Sequence, residues 1–125
     1  MLQRSPMYAY IPAKDLNRAR KFYEEKVGLR PKQEVNGGVV YQSGENTACF
    51  LYHSPNAGTS RASQAFWSVD DVETEVAELK ARGVQFERYD DLPGKHEGEI
   101  VTEGGAKAAW FKDTEGNIMA VIQTL

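Results

Sequence analysis

The side chains able to do chemistry are few and scattered. The chain carries two histidines, His53 and His96, and one cysteine, Cys49. A catalytic zinc needs three protein ligands of the His, Cys or carboxylate kind, and a non-haem iron triad needs two histidines and a carboxylate. Both histidines fall in predicted loops or strand edges. Cys49 has no evident histidine partner, so a small apolar residue is the simpler reading than a nucleophile. His96, Glu97 and Glu99 could supply an acid or base from a polar loop, although a solvated loop is the simpler reading of them. Tyr8 and Tyr10 offer hydroxyl groups, and Gln64 offers an amide. An amide flanked by apolar residues needs partners if buried, either a ligand or a structural bond. No complete set of nucleophile, base and electrophile emerges.

These groups must be positioned by a small number of elements. Residues 8–11 alternate as a strand, with Tyr8 and Tyr10 on one face and Ala9 and Ile11 on the other. Pro12 ends that ladder because it has no N–H to donate. Asp15 stands where an N-cap belongs, and Leu16, Ala19, Phe22, Tyr23 and Val27 follow at helical spacing. Gly28 closes the helix, since it tolerates the positive φ of a C′ position. Residues 39–42 and 47–52 predict a hairpin after the Asn36-Gly37-Gly38 turn. Residues 54–63, small, polar and broken by Pro55 and Gly58, read as a linker.

The plan then repeats. Residues 64–69 predict a strand, Asp70 or Asp71 caps a helix with the stripe Val72, Val76 and Leu79, and Gly83 stops it. Asp15 and Asp71 stand 56 positions apart, and Gly28 and Gly83 stand 55 apart. Residues 84–89 predict a further strand, 90–105 a long polar loop, and 108–112 with 118–123 a closing hairpin. Each half has the form βαβββ, module one over about 7–53 and module two over 64–125. Neither helix stripe can be buried within a single small half, so the class is α+β. Side by side, the two modules can form one curved sheet, with helices outside and a concave pocket inside.

Three segments carry a resemblance: IPAKDLNRARKFYEEKVGL, FWSVDDVETEVAELKARGV and AAWFKDTEGNIMAVIQ. They resemble the paired modules of the vicinal-oxygen-chelate superfamily, which includes glyoxalase I, bleomycin-resistance proteins, fosfomycin-resistance enzymes and extradiol dioxygenases. WFKDTEGN is similar to that family's F-x-D-P-D-G-N turn, with Thr114 in the place of proline. The resemblance implies a divalent metal held by His, Gln and Glu on the concave face. The corresponding positions here are Tyr8, Gln64 and Ala120, with a fourth near Cys49 or Leu51. Alanine cannot bind a metal, and Tyr and Gln are poor ligands, so no metal or other cofactor is expected. Because ligand positions face inward, the same phase places Tyr8, Tyr10, Gln64, Phe66, Ser68, Ala120 and Ile122 in the pocket, with Cys49 and Leu51 alongside. Ala9, Ile11, Ala65, Trp67, Val69, Met119 and Val121 then pack under the helices.

Such a pocket suits a small organic ligand better than a free ion. The leading expectation is a metal-free protein that binds a small aromatic or amphipathic molecule, in the manner of bleomycin-resistance proteins. The alternative is a lyase, isomerase or dioxygenase of glyoxalase type with an unconventional or metal-free site. Fold alone does not choose between them. The resemblance also implies a homodimer. A net charge of −3 gives no electrostatic case for nucleic acid or an anionic membrane as partner. A single cysteine excludes an internal disulfide, and no leading apolar run is present, so a cytoplasmic location is expected.

Overall fold

The computed structural model describes residues 1–125. Two sheets divide the chain. The first takes β1 (Ala9–Ala13), β2 (Arg30–Val35), β3 (Gly38–Ser43) and β4 (Thr47–His53) in the order β1-β4-β3-β2. The second takes β5 (Ala65–Ser68), β6 (Lys95–Glu97), β7 (Ile100–Glu103), β8 (Ala106–Lys112) and β9 (Ile118–Thr124) in the order β5-β9-β8-β7-β6. The order β5-β9-β8-β7 repeats β1-β4-β3-β2. In both sheets the first strand runs parallel to the last, with antiparallel hairpins outside it. The architecture is therefore α+β, built from two modules of the βαβββ kind.

The helices begin as their caps dictate. Asp15 accepts the Arg18 amide at 3.0 Å, and α1 runs over Leu16–Lys21. Asp71 accepts the Thr74 amide at 3.3 Å, and α2 runs over Val72–Ala81. The first helix then widens into a π-helical segment, Phe22–Val27, which ends at Gly28 with φ +88°. Phe22 and Tyr23, adjacent in sequence, are both buried.

One core of 17 buried residues joins the modules. Ala19, Phe22 and Tyr23 of the first helix and Val72, Val76 and Leu79 of the second belong to it. Ile11, Val39, Tyr41 and Leu51 line the first sheet's inner side, and Ala109, Phe111, Met119 and Val121 line the second's. Phe22 packs 6.1 Å from Phe111 between ring centres, so the first helix also helps cover the second sheet. Trp67 stacks on Phe111 at 6.1 Å and donates Nε1–H to Ser43 Oγ at 3.0 Å, a further tie between halves. No helix is long and apolar enough to cross a membrane.

Three expectations change. Residues 84–89 form no strand; only Phe86 bridges Phe111, and Glu87 donates to the Trp110 carbonyl. The strand equivalent to β2 is instead β7, inside the stretch expected to be a long loop, where β6 and β7 pair around Gly98. The surrounding acidic and glycine residues hide the short Ile100-Val101 core of that strand. The strand β2 escaped periodicity altogether, because all six of its side chains are exposed. It exists through backbone bonds to β3, which follow from the Asn36-Gly37 turn.

Candidate functional site

Opposite the core, each sheet presents an open face whose membership follows from register. In the first sheet Tyr10 pairs with Phe50, Phe50 with Val40, and Pro12 with Tyr52. Paired residues share a face, so Tyr10, Phe50 and Tyr52 stand together on the open side. Tyr10 lies 5.7 Å from Phe50 and 3.9 Å from Tyr52 between ring centres, and Phe50 lies nearly parallel to Tyr52 at 6.2 Å. Gly38 makes room for this group. A Cβ there would stand 2.6 Å from Phe50 Cζ and 2.5 Å from the Leu51 carbonyl oxygen.

The second sheet supplies a second row. Phe66 pairs with Ala120 and Ala120 with Trp110; Ser68 pairs with Ile122. Ala120 is buried between its two larger neighbours, and the edge of the Tyr89 ring meets Trp110 at 5.6 Å. Gln64, just ahead of β5, donates Nε2–H to the Tyr10 carbonyl at 2.9 Å. That bond joins the two edge strands β1 and β5, so the two open faces adjoin there. Both faces are open to solvent in the single chain: Tyr8 is 49%, Tyr10 57% and Phe66 60% exposed.

The expected site residues thus divide. Tyr10, Gln64, Phe66, Ser68, Ala120 and Ile122 lie on or beside the open faces. Tyr8 immediately precedes β1 and is half-exposed. Cys49 does not belong with them, and neither does Leu51. Cys49 pairs with Ala9 and Tyr41, and Leu51 with Ile11 and Val39, so both enter the core. Burial pushes the Cys49 thiol up to about 11, which leaves it protonated and inert at neutral pH. The reason is the one-residue alternation of a strand: fixing Ile11 inward fixes Leu51 inward and sends Phe50 out. Phe50 and Tyr52, the residues this register selects instead, were visible as an aromatic i, i+2 pair matching Tyr8 and Tyr10.

The loop candidates are placed otherwise than a free loop would place them. His96 lies on β6, four strands from β5, roughly 19 Å across at the usual strand spacing. Its Nε2 is 2.7 Å from the Leu92 carbonyl oxygen. Glu99 forms an ion pair with Lys80 of α2 at 2.6 Å, and that hydrogen bond holds its carboxyl below the usual range. Neither is within reach of Gln64 or Tyr10.

The donor set does not fit a divalent ion. The positions implied for ligands carry Tyr8, Gln64 and Ala120, and β4 turns Phe50 rather than an acidic or imidazole group to the open side. No three His, Cys, Asp or Glu side chains come together anywhere as a metal cluster.

The Asp-Thr-Glu-Gly-Asn turn between β8 and β9 has a different task. Asp113 Oδ1 accepts the Glu115 and Asn117 amides, both at 2.9 Å, and its Oδ2 accepts the Tyr23 hydroxyl at 2.6 Å. Asn117 donates to the Pro12 carbonyl at 2.8 Å and accepts the Gly58 amide at 3.1 Å. Glu115 accepts the Asp15 amide, the Arg18 guanidinium and the Thr114 hydroxyl. Burial raises the Glu115 carboxyl, but these donors outweigh it and hold it at about 2. The turn is a polar latch onto the first module. Thr114, in the place of a proline, contributes one of its bonds.

Comparison with known proteins agrees with this geometry. No curated protein matches the chain in sequence. Among solved structures, TnmS3, an antibiotic binding protein from Streptomyces sp. CB03234, superposes with a TM-score of 0.67 at 23% identity, covering 98% of both chains. A glyoxalase/bleomycin resistance protein from the same organism gives 0.64 at 25% identity, covering 94% of this chain and 98% of its own. Lactoylglutathione lyase from Agrobacterium tumefaciens gives 0.69 at 18% identity, covering 96% and 93%. Residues 6–121 match the sequence profile of one family across nearly the whole length. The chain belongs to the Glyoxalase/Bleomycin resistance protein/Dioxygenase superfamily.

Proposed function

We propose that the protein binds a small aromatic or amphipathic molecule on its open face, without a metal ion. The observation that carries this reading is the group Tyr10, Phe50 and Tyr52. Three aromatic rings gathered on a solvent-facing strand surface have no core to serve. They offer flat apolar area with a hydroxyl at two of the edges, the recognised chemistry of small-molecule sites. Phe66 and Trp110 extend the apolar surface on the adjoining sheet. An antibiotic-binding relative of the same fold supports the ligand class. The absence of imidazole and carboxylate side chains at the implied ligand positions supports metal independence.

A homodimer completes the reading. One chain leaves Tyr10 and Phe66 open to water, and a second copy would wall the face and exclude solvent from a bound ring. Sedimentation at micromolar concentration is expected to give twice the chain mass of 14.0 kDa.

The experiment is a fluorescence titration against a panel of planar aromatic antibiotics and bleomycin, with metal analysis of the same sample. A saturable response lost in the Tyr10→Ala, Phe50→Ala double variant is expected, with no stoichiometric metal. Stoichiometric zinc, nickel, iron or manganese would favour the enzymatic alternative. A response unchanged in the double variant would place the ligand elsewhere.

A further inference from the structure

A second site is marked by charge. A cleft of about 440 Å³ opens at the outer corner of the first sheet, between the end of the first helix and the β3–β4 turn. Arg30 and Lys32 line it, with Gly28, Gln42, Ser43 and Gly44, and no lining residue is acidic. The Arg82 guanidinium stands beside Gly28, with Nη1 3.3 Å from where a Cβ would be. Lys26 Nζ stands in the same way 3.4 Å from that position at Gly83, the residue after Arg82. Two cations thus line the cleft, and two more stand beside it, where the C-terminal ends of the two helices approach each other at Gly28 and Gly83.

None of the four has an acidic partner. The ion pairs of this chain occupy Arg18, Arg20, Lys80, Arg88, Lys95, Lys107 and Lys112. Of the eight basic residues left, half are at this corner, in a chain whose net charge is −3. Each has a local reason when taken singly. Lys26 and Arg82 complement helix C-termini, and Arg30 and Lys32 protect an edge strand from pairing. Those reasons do not require a concave surface free of carboxylates. The cleft also has uncharged donor capacity: Ser43 Oγ accepts from Trp67, which leaves its own proton to donate. A β-bulge between Pro31 and Gln33 leaves Lys32 unpaired in the ladder, and Lys32 lines the cleft together with Arg30.

We infer that this corner binds a phosphate-bearing small molecule. The Arg30 guanidinium in the cleft favours a tetrahedral oxyanion, which it can grip through paired N–H bonds; Lys32 adds point charge, and Arg82 stands at the rim beside Gly28. The cleft is larger than a lone phosphate needs, so the group that carries the phosphate has room beside it. This site is separate from the aromatic face and does not depend on it.

The test is an NMR chemical-shift titration of the full chain with sodium pyrophosphate and, in parallel, sodium citrate at 150 mM NaCl. Saturable shifts confined to residues 28–32, 42–44 and 82–83 with pyrophosphate are expected, with citrate at least 5-fold weaker. The Arg30→Gln, Lys32→Gln double variant should weaken pyrophosphate at least 10-fold, while Arg61→Gln, a neutralised cation elsewhere, should not. Circular dichroism of the exposed-residue variants controls for folding. Shifts spread over all basic residues, absence of saturation, or an unaffected double variant would overturn the assignment of a site. Citrate binding as tightly as pyrophosphate would overturn the phosphate class.

Discussion

Arg18 of the first helix and Glu115 of the last hairpin turn form a two-point ion pair, Nε to Oε2 at 2.8 Å and Nη2 to Oε1 at 3.0 Å. They are 97 residues apart in sequence, and the Glu115 side chain is fully buried while Arg18 is half-exposed. A buried carboxylate with this many donors is strongly committed to its charged form. The pair is thus a hinge pin between modules rather than a surface ornament.

The first prediction concerns acid. The folded Glu115 carboxyl is held at about 2, below its ordinary value near 4.5. A depressed carboxyl contributes stability that is fully present above its unfolded pKa. That stability is lost as pH falls from about 4.5 towards 2. The loss is on the order of 2 kcal/mol once solvent screening at Arg18 is allowed for. Urea midpoints at pH 6 and pH 2.5 should show it, and Glu115→Gln should flatten that part of the profile. An identical slope in the variant would remove Glu115 from the account.

Gly58 is the second. It lies in the linker with φ +75°, and a Cβ would press on the Glu115 carbonyl oxygen and stand 3.3 Å from the Gly116 Cα. Both the backbone conformation and the contact refuse a side chain. Gly58→Ala is expected to cost about 2–4 kcal/mol, read from thermal or denaturant unfolding. A loss below about 0.5 kcal/mol would mean that the linker does not press on the turn.

Cys49 gives a third, chemical prediction. A thiol in the core, raised to about 11, should not react with a disulfide reagent at pH 8 in the folded protein. Full reaction should follow on addition of guanidinium chloride. Rapid native-state labelling would put Cys49 on the open face after all.

Gly38 tests the aromatic group. Gly38→Ala places a methyl group against Phe50 Cζ and the Leu51 carbonyl oxygen. It should cost about 1–3 kcal/mol and displace the Phe50 ring, so that the aromatic-ligand response falls further than stability does. Phe50→Leu, which removes the ring without adding bulk on the strand, should weaken the ligand response with little change in folding. A full response in both variants would separate Phe50 from ligand binding.

Much of the fold is legible in the sequence. Asp15 and Asp71 announce helix starts because a short carboxylate can satisfy free backbone amides, a strictly local matter. The stripes Ala19-Phe22-Tyr23 and Val72-Val76-Leu79 announce which sides are buried, since helical period and apolar character act within a few residues. The repeat of that plan was enough to imply two modules, and the lack of His and Glu at the matched positions was plain in the letters themselves. Strand β7 was not legible, because its two apolar residues are surrounded by acidic residues and glycines.

The candidate site depended on relationships that no short window contains. Whether Cys49 or Phe50 faces out is set by β4 pairing with β1, some forty residues earlier. A shift of one residue would exchange every inward side chain for an outward one. The amide of Gln64 calls for a ligand or a structural bond, and only the approach of β1, 54 residues away, supplies the Tyr10 carbonyl as its partner. The cations in and beside the cleft, Arg30 and Lys32 with Lys26 and Arg82, lie on three separate elements. Local side-chain chemistry determined both helices, their buried stripes and most of the strands. Register, and the approach of distant strands and helix ends, decided what shares a surface, because those contacts form only when the whole chain has packed.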